Sequence, residues 1–152
     1  MKIQLDNLAS IEVNQLLQAH HNDMLKHSPP ESVHALDLTS LKAADITFWT
    51  VWIDDELAGC GALKKLNEKH AEVKSMRTAG KFLRKGVAAK LLTHILATAK
   101  NQRFERVSLE TGTMNAFTPA QKLYKNFGFQ ECRPFSNYQN DPYSMFLTKT
   151  IS

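Results

Sequence analysis

Cysteine is scarce in this chain: two residues in 152, Cys60 and Cys132. Two are too few for a disulfide framework, and nothing else in the sequence points to secretion. Long apolar runs are missing as well, and none approaches the roughly 20 residues that span a bilayer. The opening residues, Met1-Lys2-Ile3-Gln4-Leu5-Asp6, lack the apolar stretch of a signal peptide. These absences point to a cytoplasmic protein with no membrane partner. No repeat, low-complexity tract or linker interrupts the sequence, and its length suits one domain covering residues 1–152. There is no Gly-x-Ser-x-Gly elbow and no Walker loop. Gly59-x-Gly61 runs on into Ala62-Leu63 within a strand pattern, so it is not a dinucleotide fingerprint. His20, His21, His27 and His34 gather in the N-terminal third, but without His-x-x-x-His spacing or a nearby cysteine. They read as exposed or cleft histidines, and no metal is expected. Cys60 and Cys132 read as small core residues.

What is present is an ordinary globular composition, 43% hydrophobic and 22% charged, with a net charge of +4. A modest basic excess suits an anionic small ligand or a nucleic acid, depending on where the cations lie. Residues 2–5 read as a strand, and Ser10 as the cap of a helix running to about His27. Residues 31–44 are mixed, a short helix with loops. Three strands follow at 46–53, 57–66 and 71–78. The short turns between them predict an antiparallel meander. The period then changes: Val87, Leu91, Leu92, Ile95 and Ala99 recur at helical spacing. Val107–Glu110 reads as the next strand, which makes a parallel βαβ unit. Thr118-Pro119-Ala120-Gln121 reads as a capping box opening a helix that ends at Gly128. Strands near 129–133 and 144–150 complete an α+β domain with a mixed sheet.

The segment Lys81-Phe82-Leu83-Arg84-Lys85-Gly86-Val87-Ala88 carries the most chemistry. Three cations crowd a helix N-terminus, where the macrodipole favours anions. Unless something anionic binds, that arrangement opposes helix electrostatics. Free N–H groups at the helix start, with Gly86 allowing close approach, form a phosphate cradle. The plain alternative is a set of solvated surface cations.

Residues Ala71–Thr78, the Arg84–Ala88 loop and Ala120–Phe129 together resemble the GNAT family of N-acetyltransferases. Ala120, Leu123, Tyr124, Gly128 and Phe129 meet the family's Ala-x-x-Leu-Tyr-x-x-x-Gly-Phe pattern in full. Gly86 and Ala88 meet its Gln/Arg-x-x-Gly-x-Gly/Ala phosphate loop, with Leu83 at the usual Gln/Arg position and Arg84 offering a cation one residue later. The resemblance implies the acyl-CoA N-acyltransferase fold and acetyl-CoA as cosubstrate. It places pantetheine against backbone groups of Met76 and Thr78, and the pyrophosphate on Arg84, Lys85, Gly86, Val87 and Ala88. It puts Tyr124 at the general acid, although on helical spacing alone Tyr124 is an apolar-face residue with a polar tip. Glu72, on one strand face with Lys74, Met76 and Thr78, and Glu110, at the end of the next strand, are both candidates for the base that deprotonates an amine. Asn115 stands in the loop where family members touch cofactor, with Phe117 at the commoner spacing.

The first reading is therefore an acetyl-CoA-dependent N-acetyltransferase acting on an amine: a small molecule, an amino acid, an antibiotic or a protein lysine. A homodimer is compatible with the family. The second reading is a non-catalytic acyl-CoA sensor, which would need neither Tyr124 nor a base. The third, a nucleic-acid-binding domain, predicts steeply salt-dependent affinity. It is disfavoured because the aromatic-basic stretch Arg133–Tyr138 lacks the interleaving of a stacking platform. That stretch reads instead as a long loop bordering the site, with Tyr138 or Asp141 near the acceptor.

Overall fold

The computed structural model describes residues 1–33 and 38–151. Its centre is a seven-stranded sheet of β1 (Lys2–Leu5), β2 (Ile46–Ile53), β3 (Glu56–Lys65), β4 (His70–Thr78), β5 (Arg106–Gly112), β6 (Gln130–Glu131) and β7 (Ser144–Thr150). The strand order is β1-β2-β3-β4-β5-β7-β6, and β4 and β5 run parallel while the other pairs are antiparallel. The helices are α1 (Ile11–His27), α2 (Leu38–Leu41), α3 (Val87–Asn101) and α4 (Thr118–Asn126), with 3-10 turns at Pro30–Ser32, Gly80–Phe82 and Asn115–Phe117. The expected meander followed by a βαβ unit is the observed architecture.

Local chemistry explains most element ends. Ser10 Oγ accepts from the Val13 N–H at 3.2 Å and caps α1. The β2–β3 turn uses Asp54 and Asp55, both at positive φ (49° and 64°), a conformation that Asp tolerates better than most side chains. Helix α3 buries Val87, Leu91, Leu92 and Ile95 against Trp49, Val51, Leu63, Ala71 and Val73 on one sheet face. On the opposite face Val13, Leu16 and Leu41 pack with Phe48, Cys60 and Ala62. Gly61 is what lets α3 lie so close: a Cβ there would come 2.5 Å from Met76 Sδ and 3.0 Å from a Leu91 methyl.

The structure departs from the sequence pattern at three places. First, β4 does not alternate to its end. Cys60 pairs with Arg77 but Ala62 pairs with Lys74, so Ser75 and Met76 stand opposite Gly61 as a bulge. Ser75 takes φ 56°, and its carbonyl accepts from the Cys60 thiol at 3.4 Å. Glu72 and Lys74 therefore share a face, while Met76 turns to the α3 side and Arg77 reaches Asp23 of α1. Second, the expected capping box of α4 does not form. Thr118 already has helical dihedrals, because the 3-10 turn at Asn115–Phe117 runs straight into the helix. Gln121 instead donates to the Gly112 carbonyl at 2.8 Å, tying α4 to the end of β5. Third, β5 extends beyond Glu110 to Gly112 because β7 pairs with it as far as Ser144, whereas β6 shrinks to two residues.

Candidate active site

The bulge opens the sheet. Parallel pairing of β4 with β5 covers four registers, from His70↔Arg106 to Val73↔Leu109, and ends there. Beyond Val73 the two strands splay, and β4 from Lys74 onward has its β5 side unpaired. A cleft of about 650 Å³ fills the gap and continues to the start of α3. Met76, Thr78, Arg84, Gly86, Val87 and Ala88 line it.

At that end Arg84 (φ 64°) and Gly86 (φ 81°) curl the backbone around the helix start, a conformation that turns successive N–H groups toward one concavity. No side chain caps α3, so its first-turn N–H groups are available to a ligand. A Cβ on Gly86 would meet nothing within 4 Å, so this corner stands open. The three expected cations separate. Arg84 lines the cleft. Lys85 stands outside the lining, 5.6 Å from the Phe82 ring centroid, and Lys81 pairs with Glu56 at 2.6 Å. Asn115 is exposed and also outside the lining, where Ala116 and Phe117 stand instead. The Phe117 ring packs against Gly112, leaving no room there for a side chain, and meets His27 of α1 edge-on at 6.2 Å.

The other end of the cleft joins a smaller pocket of about 110 Å³. His20, Met24, Met76, Phe117, Ala120 and Tyr124 line both. Tyr124 is buried beneath the junction, and burial, with the nearby Glu110 charge, holds its phenol protonated far above the ordinary range. The small pocket contains both candidate carboxylates, in different states. Glu72 is 3% exposed, and its Oε2 accepts from Lys74 Nζ at 3.1 Å and from the Tyr138 hydroxyl at 2.5 Å. Lys74 also donates to the Tyr138 oxygen at 2.7 Å, which closes a three-membered ring of hydrogen bonds. Among the described residues Glu110 has no ion-pair partner. Burial pushes its carboxyl up to about 7, against smaller opposing effects of Ser144 and the Lys74 charge. The Ser144 hydroxyl is near enough to favour the carboxylate, yet it is buried and among the described residues has no partner at full hydrogen-bond geometry.

The loop of residues 133–143 walls this pocket. Phe135, Tyr138 and Phe146 stack edge-to-face and tilted at 5.1–5.9 Å. Ser32 Oγ donates to Asp141 Oδ2 at 2.5 Å, latching the turn after α1 to the loop before β7. Of the two loop residues expected near the acceptor, Tyr138 lines the pocket and Asp141 holds the latch. His20 lines both cavities, its pKa lowered to about 4 by burial and then by Arg77, so it is neutral at pH 7. His27 meets Phe117, His21 is exposed, and His34 lies outside the described residues. Cys60 is buried, which pushes its thiol up to about 12. Among the described residues no helix is long and apolar enough to cross a membrane.

Sequence reasoning missed Lys74 and Ser144 as parts of the site. Strand alternation placed Lys74 beside Glu72, but only the fold of the 133–143 loop shows that both are covered. Ser144 had no sequence signal, since its role arises from facing Glu110.

A bulged parallel pair opening beside the uncapped start of a crossover helix, with two cavities meeting at a buried tyrosine, is the acyl-CoA N-acyltransferase arrangement, and the class it defines is an acetyltransferase. Residues 12–129 match the model of the acetyltransferase (GNAT) family, and the chain belongs to that family. It is 52% identical over 151 residues to the uncharacterized N-acetyltransferase YsnE of Bacillus subtilis (strain 168), covering 99% of this chain and 100% of that one. It is 49% identical over 149 residues to the uncharacterized N-acetyltransferase YedL of Escherichia coli (strain K12), covering 98% and 94%. The fold matches the crystal structure of a GNAT family acetyltransferase from Elizabethkingia anophelis with acetyl-CoA bound. That match has a TM-score of 0.71 and 20% identity, covering 98% and 97% of the two chains.

Proposed function

We propose that the chain transfers the acetyl group of acetyl-CoA to a primary amine by direct attack on the thioester. The observation that carries this reading is the junction at Tyr124. There a long cleft suited to a polyphosphate ligand meets a small pocket holding a carboxyl that titrates near neutrality. Bound acetyl-CoA supplies an activated acyl carbon at that junction. Arg84 and the N–H groups of Gly86, Val87 and Ala88 hold the pyrophosphate. Met76 and Thr78, left without a β5 partner by the splay, offer backbone groups on that side to the pantetheine amides. The whole chain serves the site as one domain, because α1 and the 133–143 loop wall the same pocket.

Glu110 takes the proton of the acceptor ammonium, a task that needs a base poised near the working pH. Glu72 is less suited, since its Oε2 is already engaged by Lys74 and Tyr138. Its part is to hold those two side chains. The amine then forms the new C–N bond as the C–S bond breaks and the sulfur leaves with the bonding pair. The nitrogen sheds its surplus proton through water to the departing thiolate, giving amide and free thiol, and Glu110 returns its own proton to solvent. Tyr124 donates a hydrogen bond to that sulfur. A thiol titrates near 8.5 and an ordinary phenol near 10, and burial raises Tyr124 further. The proton therefore stays on the phenol oxygen, and Tyr124 stabilises the thiolate without surrendering it.

The test is an amine panel that follows free thiol release from acetyl-CoA. Acceptor-dependent release is expected, with Tyr124→Phe lowering kcat about tenfold to a hundredfold at unchanged CoA affinity. Tight CoA binding without thiol release for any amine would leave the binding-module reading in its place.

A further inference from the structure

Among the described residues one buried cation, Lys74, lines the acceptor pocket, and they leave one of its N–H donors without an acceptor. The Lys74 side chain is 9% exposed. Its ammonium has three N–H donors. One goes to Glu72 Oε2 at 3.1 Å and one to the Tyr138 oxygen at 2.7 Å, and among the described residues no third acceptor lies in range. Native structures rarely leave a buried donor unmet, so an unused N–H on a pocket wall marks a place where a ligand oxygen belongs. Lys74 lines the pocket together with Glu110 and lies close enough for its charge to act on that carboxyl.

Resting on the acetyl-transfer reading above, we propose that the acceptor is a small amino acid, its amine directed to Glu110 and its carboxylate to the free N–H of Lys74. Charge supports this choice. The match is local: the ammonium meets the Glu110 carboxylate and the ligand carboxylate meets the Lys74 ammonium, whereas a simple alkylamine satisfies Glu110 alone. Size supports it too. A cavity of about 110 Å³ with Lys74 and Glu110 both on its wall suits an ammonium and a carboxylate separated by one or two carbons. An alkylamine, or the methylene stem of a protein lysine, fills the same space with carbon and leaves the Lys74 donor unmet.

The decisive measurement compares matched acceptors on the wild-type protein at saturating acetyl-CoA: alanine against ethylamine and alaninamide, and 2-aminobutyrate against propylamine. Thiol release should show kcat/KM roughly tenfold to a hundredfold higher for each amino acid than for its partner lacking the carboxylate. Lys74→Met should raise KM for alanine by a similar factor and abolish the preference for alanine over ethylamine. Equal or better use of ethylamine by the wild-type protein would overturn the proposal, as would alanine kinetics unaffected by Lys74→Met. If that variant does not fold, the wild-type pairs still decide. Turnover of peptide lysines without turnover of amino acids would sink this inference alone. Silence from every amine would sink the acetyl-transfer reading itself.

Discussion

Glu110 and Glu72 are the same residue type on the same sheet face, yet they sit in opposite circumstances. Glu72 is charge-paired and doubly hydrogen-bonded through one oxygen, while Glu110 is half-buried and, among the described residues, has no ion pair. In the proposed reaction that difference separates positioning from proton transfer, and no sequence pattern could have made it. The residue-scale prediction concerns Glu110→Gln. As a base Glu110 works ionised, so wild-type kcat/KM should rise through about pH 7, and the glutamine variant should lose both the rise and most of the rate, about a hundredfold. Stability should move the other way. The folded carboxyl titrates near 7 and the unfolded one near 4.5, so the folded state binds more protons between those values and loses stability as pH rises across that window. Glutamine removes this penalty. Chemical denaturation at pH 8 should find Glu110→Gln more stable than wild type by about 1–3 kcal/mol, with little difference at pH 4. A variant of equal activity, or one destabilised at pH 8, would remove Glu110 from its role.

At the scale of elements, the bulge in β4 decides whether a cleft exists. Two residues opposite one turn Met76 toward α3 and end the pairing with β5 after Val73. Deleting Ser75 takes out the residue held at φ 56° and lets the remaining strand alternate. The expected product folds, because the cores on both faces are built mainly from other strands and helices. It should bind CoA at least a hundredfold more weakly by calorimetry, with its far-UV spectrum retained; native affinity in the deletion would show that the splay is not needed. This element also marks the limit of the sequence. The helix motif from Ala120 to Phe129 and the loop around Gly86 were legible because short-range spacing carries them. The bulge was not, since Ser75 and Met76 look like strand residues and the break arises from pairing across to Cys60 and Ala62. The missing cap of α4 has the same origin: Thr118-Pro119-Ala120-Gln121 fits a capping box locally, but the turn before it and the Gly112 carbonyl redirect Gln121.

For the molecule as a whole, ligand and stability are coupled, because the long cleft is assembled from pieces that meet only in the folded state. Residues of α1, β4, α3 and α4 all line it, and the unfolded chain retains none of that geometry. CoA should therefore stabilise the fold by mass action, by about 2.7 kcal/mol at a hundred times its Kd. For a chain of this size that is a rise in Tm of roughly 5–10 °C. The net charge of +4 adds a second signature, since in the proposed site Arg84 and the positive end of α3 would face a polyanion. Such attraction is screened over about 10 Å at 0.1 M salt, so the thermal shift at fixed CoA should shrink as salt is raised. Arg84→Glu puts a negative charge beside the phosphates and should cut CoA affinity about tenfold, removing roughly 1.4 kcal/mol of the stabilisation while leaving the ligand-free Tm unchanged. Scanning calorimetry with and without CoA at low and high salt measures all of these together. An Arg84→Glu protein stabilised as strongly as wild type would move the pyrophosphate away from the start of α3, and the assignment of the long cleft would fall with it.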